Sequence, residues 1–231
     1  MTAILVVLTF AFFLGLDWLL ERRKAPAAVS VKAAARSAGA GVPPLVAEPV
    51  WVAGYQLPEE LHYHRGHTWA RVLEDGAVAI GLDDFARKLV GAAGRVSVPH
   101  TGAQLAQGAP AFRLEVDGRG PRAVDLVAPL DGEVLEVNPR LEGQPQLATD
   151  EPYGRGWILK LRPRDLARDL RNLFSGSLAR RWMEDSRERL ELELVALSGS
   201  VLQDGGEPAS DFVSHLPDED WRRLVRDFLL A

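Results

Sequence analysis

Residues Ala128–Asn138 read APLDGEVLEVN. An Asp-Gly pair stands there between alternating apolar residues, the pattern of two short strands around a tight turn. The pattern has a forerunner in the chain: DGAVAIG at Asp75–Gly81 matches DGEVLEV at Asp131–Val137. A repeat of this kind predicts two similar halves closing on each other.

Working outward, short alternating strands and turns fill the chain from Trp51 to about Pro163. LHYHRGHTWARVLEDGAVAIGLDD, Leu61–Asp84, predicts two strands around Asp75-Gly76. DDFARKLVG, Asp83–Gly91, predicts a short helix with Asp83 as N-cap and Phe85, Leu89 and Val90 turned inward. LEVDGRGPRAVDLVAP, Leu114–Pro129, reads as a further hairpin around a glycine-proline turn.

Five blocks in this region resemble, in order, the H protein of the glycine cleavage system, a member of the lipoyl/biotinyl-carrier fold. They are His67-Thr68-Trp69, IGLDDFARKLVG at Ile80–Gly91, VPHTGAQLAQG at Val98–Gly108, APLDGEVLEVN at Ala128–Asn138 and EPYGRGWILKLRP at Glu151–Pro163. The resemblance implies an α+β protein built on a lipoyl/biotinyl-type β-barrel-sandwich of two similar halves. It also implies a carrier whose lipoate sits on one lysine at a hairpin tip.

The departure lies at that tip. The family hairpin resembles Glu-Ser-Val-Lys-Ala-Ala-Ser-Asp. Matched from the left through Glu115, the lysine position falls on Gly118; matched from the right through Asp125, it falls on Pro121. The four lysines are Lys24, Lys32, Lys88 and Lys160, none of them in this hairpin. Arg119 and Arg122 are near, but a guanidinium stays protonated and does not form the amide with lipoate. Lipoate, the cofactor implied by the family, is therefore expected not to be attached, and no other cofactor is expected. Asp117, Arg119 and Arg122 read either as a partner-recognition tip or as a solvated loop.

TAILVVLTFAFFLGLDWLLERRK opens the chain after Met1. Ala3–Leu20 is an apolar run broken only by Asp17, with Trp18 near its end and Arg22, Arg23 and Lys24 after it. At about 1.5 Å per residue it spans roughly 27 Å, enough for the hydrocarbon core of a bilayer. Basic residues after the run predict that the rest of the chain stays in the cytoplasm. The expectation is a single-pass protein of a bacterial inner membrane. Its organisation would be an anchor over 1–24, an Ala/Pro/Gly-rich linker over 25–50, the H-protein-like domain over 51–163 and a helical extension over 164–231.

In that extension, RDLARDLRNLF at Arg164–Phe174 places Leu166, Leu170, Leu173 and Phe174 on one helical face. Ser175-Gly176 interrupts it, and a second helix follows with Leu178, Trp182, Met183, Leu190, Leu194 and Leu197 near helical spacing. Residues 199–215 read as a loop. PDEDWRRLVRDFLL predicts a last helix with Trp221, Leu224, Val225 and Phe228 on its stripe. These helices read as a cap on the barrel or as a docking surface for other subunits.

Chemistry of other kinds finds little support. The chain has no cysteine, which excludes disulfides and thiol catalysis. A net charge of −5 gives no argument for nucleic acid. His62, His64 and His67 lie close in sequence and are weak metal candidates, since no thiolate is at hand to complete a site. Nucleophile elbows, phosphate loops and dinucleotide fingerprints are missing, and no enzyme activity is expected. Two function classes remain. One is an adaptor or structural subunit of a membrane-associated complex, with the membrane and unnamed proteins as partners. The other is a carrier or accessory of glycine cleavage itself.

Overall fold

A computed structural model describes residues 50–116, 122–198 and 216–230, together with Val42. All of these fall within one unit, Gly39–Ala231; the expected anchor and most of the expected linker lie outside the described residues.

Eleven strands form among the described residues: β1 (Val50–Val52), β2 (Tyr55–Leu57), β3 (His62–Tyr63), β4 (Thr68–Val72), β5 (Val78–Leu82), β6 (Ala93–Ser97), β7 (Gln104–Leu105), β8 (Pro110–Val116), β9 (Arg122–Val127), β10 (Gly132–Val137) and β11 (Leu159–Pro163). They make a small β1-β2 pair, a six-stranded sheet ordered β3-β4-β5-β11-β10-β7 and a three-stranded sheet ordered β6-β8-β9. Alternation sets the core. In β8, Phe112 and Leu114 are buried between exposed Arg113 and Glu115, and in β9 Val124 and Leu126 are buried as well. Trp69, Ile80, Leu82, Leu114 and Leu126 join one continuous hydrophobic cluster with the helices.

The repeat read from the sequence has a different meaning here. β5 and β10 both lie in the six-stranded sheet, one on each side of β11. Asp75-Gly76 does turn β4 into β5. Asp131-Gly132 does not make the predicted hairpin: β9 pairs with β8, whereas β10 pairs with β11 and β7. The chain changes sheets at that point.

Helix α1 (Asp84–Val90) follows β5. Its predicted cap is in place, with Asp83 Oδ1 accepting from the Ala86 amide at 2.8 Å. Two single-turn helices, α2 (Arg140–Gly143) and α3 (Leu147–Asp150), were not foreseen in the sequence. The Arg164–Phe174 helix is shorter than expected. α4 covers only Leu166–Leu170, and Phe174 instead bridges to Tyr63, exchanging two backbone bonds of 2.8 Å. α5 (Gly176–Ser198) buries Ala179, Met183, Ser186, Leu190 and Leu194 as one stripe. Leu178, placed on that face from spacing, is 62% exposed. α6 (Asp218–Leu229) buries Trp221, Leu224, Val225 and Phe228, as its stripe predicts. Both long helices pack on the sheets, which is the cap reading of the extension. The loop expected over 199–215 lies outside the described residues.

Candidate functional site: the β8–β9 hairpin and its supports

The hairpin strands are in register from Phe112↔Leu126 through Leu114↔Val124 to Val116↔Arg122. Glu115 faces Ala123 and Asp125 faces Arg113, so the two acids used to align the tip from either side are not opposite one another. The Val116↔Arg122 pair leaves five residues to close the hairpin, Asp117–Pro121, with Arg119 at the middle of the sequence. Those five, which include the Gly118 and Pro121 positions and the tip residues Asp117 and Arg119, lie outside the described residues.

Arg122 is described, and it points inward. Its Nε donates to Asp218 Oδ1 at 2.9 Å and its Nη2 to the Leu216 carbonyl at 2.7 Å. The guanidinium carbon sits 5.2 Å from the Trp221 ring centroid. Arg122 thus ties the base of the tip to α6 rather than standing out as a recognition cation. Sequence reasoning missed this link, because it joins residues about a hundred positions apart and no local pattern marks it.

Neither described lysine offers a spare amine. Lys88, on α1, donates to the Gly54 carbonyl at 2.7 Å and lies 3.4 Å from Asp84, with its ammonium over Tyr55 at 5.1 Å. Lys160, on β11, bonds Glu136 at 2.8 Å and lies over Trp157 at 4.9 Å. Both are buried. A nucleophilic amine needs its lone pair and access to solvent; an enclosed, paired ammonium has neither.

The histidines separate into different tasks. His67 Nδ1 lies 2.8 Å from Asp83 Oδ2, and its ring stacks on Phe85 at 4.0 Å and on Trp182 at 4.6 Å. It holds the left-handed turn at φ 59° between β3 and β4. His64 Nδ1 accepts the Gly66 amide at 3.1 Å; burial, with help from Arg65 and His67, lowers its pKa to about 4. His62 is lowered by burial as well, and its Nδ1 has no partner among the described residues. No group of three His, Cys, Asp or Glu among the described residues is placed to hold a metal ion.

The residues that carried the sequence resemblance act as staples. Tyr153 OH donates to the Gln56 carbonyl and accepts from the Asp84 amide, both at 2.8 Å. Asn138 Nδ2 reaches the Trp157 carbonyl at 2.6 Å and the Arg155 carbonyl at 2.8 Å. The Tyr153 hydroxyl and the Asn138 amide thus find acceptors on remote loop backbone, so these two positions fix how loops cross the sheets. Among the described residues no helix is long and apolar enough to cross a membrane.

The chain is similar in sequence to known proteins. A family profile described as Glycine cleavage H-protein matches residues 61–186. The "Probable glycine cleavage system H protein" of Thermococcus gammatolerans is 36% identical over 134 residues, 58% of this chain and 96% of that protein. The "Glycine cleavage system H protein" of Chromobacterium violaceum is 40% identical over 121 residues, 52% of this chain and 91% of its own length. A crystal structure of a glycine cleavage system H protein from Mycobacterium marinum aligns with a TM-score of 0.48 at 24% identity, covering 57% of this chain and 99% of that one. The fold is the lipoyl-type sheet fold of that family with added C-terminal helices. With a profile match that runs from β3 through β11 to the start of α5, the chain belongs to the glycine cleavage H-protein family, in which the H protein is a carrier and not a catalyst.

Proposed function

We propose that this chain serves the glycine cleavage system as an H-protein-type accessory that presents the family's docking surface without a lipoyl arm of its own. One conjunction supports the reading. The family match runs through both strands of the hairpin, yet the sequence has no lysine between Lys88 and Lys160. A swinging-arm carrier needs an exposed amine, because the lipoyl group is held as an amide on it. Gly118 and Pro121, the two aligned positions, have no side-chain nitrogen to acylate, and Arg119 is a cation at every physiological pH.

Reconstitution tests this. Put in place of an ordinary H protein, the chain is expected to support no glycine–bicarbonate exchange with glycine decarboxylase. Added in excess beside a lipoylated H protein, it is expected to slow that exchange by competing for the same enzyme. Exchange driven by this chain alone, or an intact mass carrying a lipoyl group, overturns the armless part. Exchange that is unchanged at saturating excess removes the docking part.

A second reading is favoured by the apolar run Ala3–Leu20 and the basic residues behind it. On this reading residues 1–24 anchor the chain in the inner membrane, 25–50 tether it, and the 51–163 domain with its 164–231 extension works in the cytoplasm as an adaptor of a membrane complex. Alkaline carbonate extraction of host membranes separates the two: release into the supernatant counts against the anchor.

A further inference from the structure

On the β6-β8-β9 sheet, Arg95, Arg113, Glu115 and Asp125 alternate along their strands with more buried neighbours and share the face turned to solvent. They form two cross-strand pairs of opposite charge, Arg113↔Asp125 between β8 and β9 and Arg95↔Glu115 between β6 and β8. Opposed residues of opposite charge ordinarily attract one another across a sheet. The first pair closes, with Arg113 Nη1 2.9 Å from Asp125 Oδ2. The second stays open: neither Arg95 nor Glu115 uses its side chain in an ion pair or hydrogen bond among the described residues. The backbone differs between the two. From Ala93↔Val116 to Arg95↔Glu115, β6 takes two steps where β8 takes one, which makes Gly94 an extra residue in the edge strand. Such a bulge bends its strand and re-aims the side chain beside it.

Arg95 and Glu115 border a groove of about 620 Å³, with the small residues Gly94 and Ala123 also in its lining. Arg122 reaches the groove too, but its guanidinium is engaged with Asp218 and the Leu216 carbonyl. The groove therefore offers one uncommitted cation and one uncommitted anion across a short gap. A ligand with only negative charge meets Glu115, and one with only positive charge meets Arg95. A ligand with both charges satisfies both groups at once. We propose that this groove binds an amino-acid zwitterion, with the ligand carboxylate on the Arg95 guanidinium, its ammonium on the Glu115 carboxylate and its side chain over Ala123 and Val116. Both charged groups are open to water, so the binding is weak, with a Kd on the order of 1 mM. The site uses none of the residues Asp117–Pro121 and is independent of the docking role proposed above.

The test is a titration of the full chain followed by amide chemical shifts in nuclear magnetic resonance. The probe is L-leucine; isocaproate and isoamylamine are its two halves, the acid without the amine and the amine without the acid. Leucine is expected to shift the amides of Gly94, Arg95, Glu115 and Ala123 saturably, and to bind at least fivefold more tightly than either half. Arg95→Gln and Glu115→Gln, both at exposed positions, are each expected to weaken leucine at least fivefold. In Arg95→Gln the loss should fall on isocaproate and spare isoamylamine, and in Glu115→Gln the reverse. Equal binding of leucine and one of its halves would show an ordinary charged surface and overturn the proposal. So would leucine binding that both variants retain, or the lack of any saturable shift at tens of millimolar leucine.

Discussion

At Asp75-Gly76 the chain reverses between two paired strands, whereas at Asp131-Gly132 it passes from the three-stranded sheet to the six-stranded one. At the first, Gly76 takes φ +80° with open space around it, and its amide donates to the Leu73 carbonyl at 3.0 Å. Asp75 Oδ1 closes the turn by accepting from Ala77 at 3.0 Å. At the second, a Cβ on Gly132 would stand 2.6 Å from the Arg162 carbonyl oxygen. Asp131 accepts the Gln107 amide at 2.6 Å and a guanidinium bond from Arg168, and its own amide donates to Asp169 at 2.8 Å. One glycine is needed for its dihedral angle and the other for its missing side chain. One aspartate organises its own turn; the other joins it to two distant segments, at Gln107 and at Arg168-Asp169.

The largest expected effect breaks the pair apart. Gly132→Ala should cost about 3 kcal/mol in urea unfolding, because the new methyl group meets backbone that cannot move aside. A loss below about 1 kcal/mol would show that β10 and β11 have slack. Acid comes next. His64 is held neutral with a pKa near 4, below the ordinary histidine value of 6.5. The unfolded chain therefore takes up the proton first, and stability falls as pH drops from about 6.5 towards 4, by up to about 3 kcal/mol. His64→Asn keeps an acceptor for Gly66 and should flatten that slope, leaving stability near pH 7.5 within about 1 kcal/mol.

In that flattened background the two aspartates can be compared directly. The Gln107 amide, followed by Arg168, holds the Asp131 carboxyl below its usual range. Its share of stability is present at neutral pH and is lost as pH falls below about 4. Asp131→Ala should cost about 2 kcal/mol in thermal or urea unfolding, and Asp75→Ala about 0.5 kcal/mol. Gly76→Ala falls between them at about 1 kcal/mol, a cost of its positive φ alone. Equal losses at Asp75 and Asp131 would erase the distinction between a local turn and a three-way junction.

The same distinction says what the sequence could reveal. Features closed within a few residues were legible: the Asp75-Gly76 hairpin, the Asp83 cap, and the stripe Trp221, Leu224, Val225 and Phe228. Features that depend on a remote partner were not. The sheet change at Asp131 rests on Gln107, Arg168 and Asp169. Phe174 leaves its helix because Tyr63 offers a strand edge. Arg122 read as a tip residue from its neighbours and became a buried tie only through Asp218 and Leu216. Family resemblance carried further than periodicity, since its motif residues are the long-range staples His67, Asn138 and Tyr153.

The enclosure of Lys88 and Lys160 has a practical consequence. The two other lysines, Lys24 and Lys32, both precede the sheets in sequence. A lysine-directed acylating reagent applied to the folded protein should therefore spare the sheets, so that acylation at Lys88 or Lys160 reports opening of the fold around it.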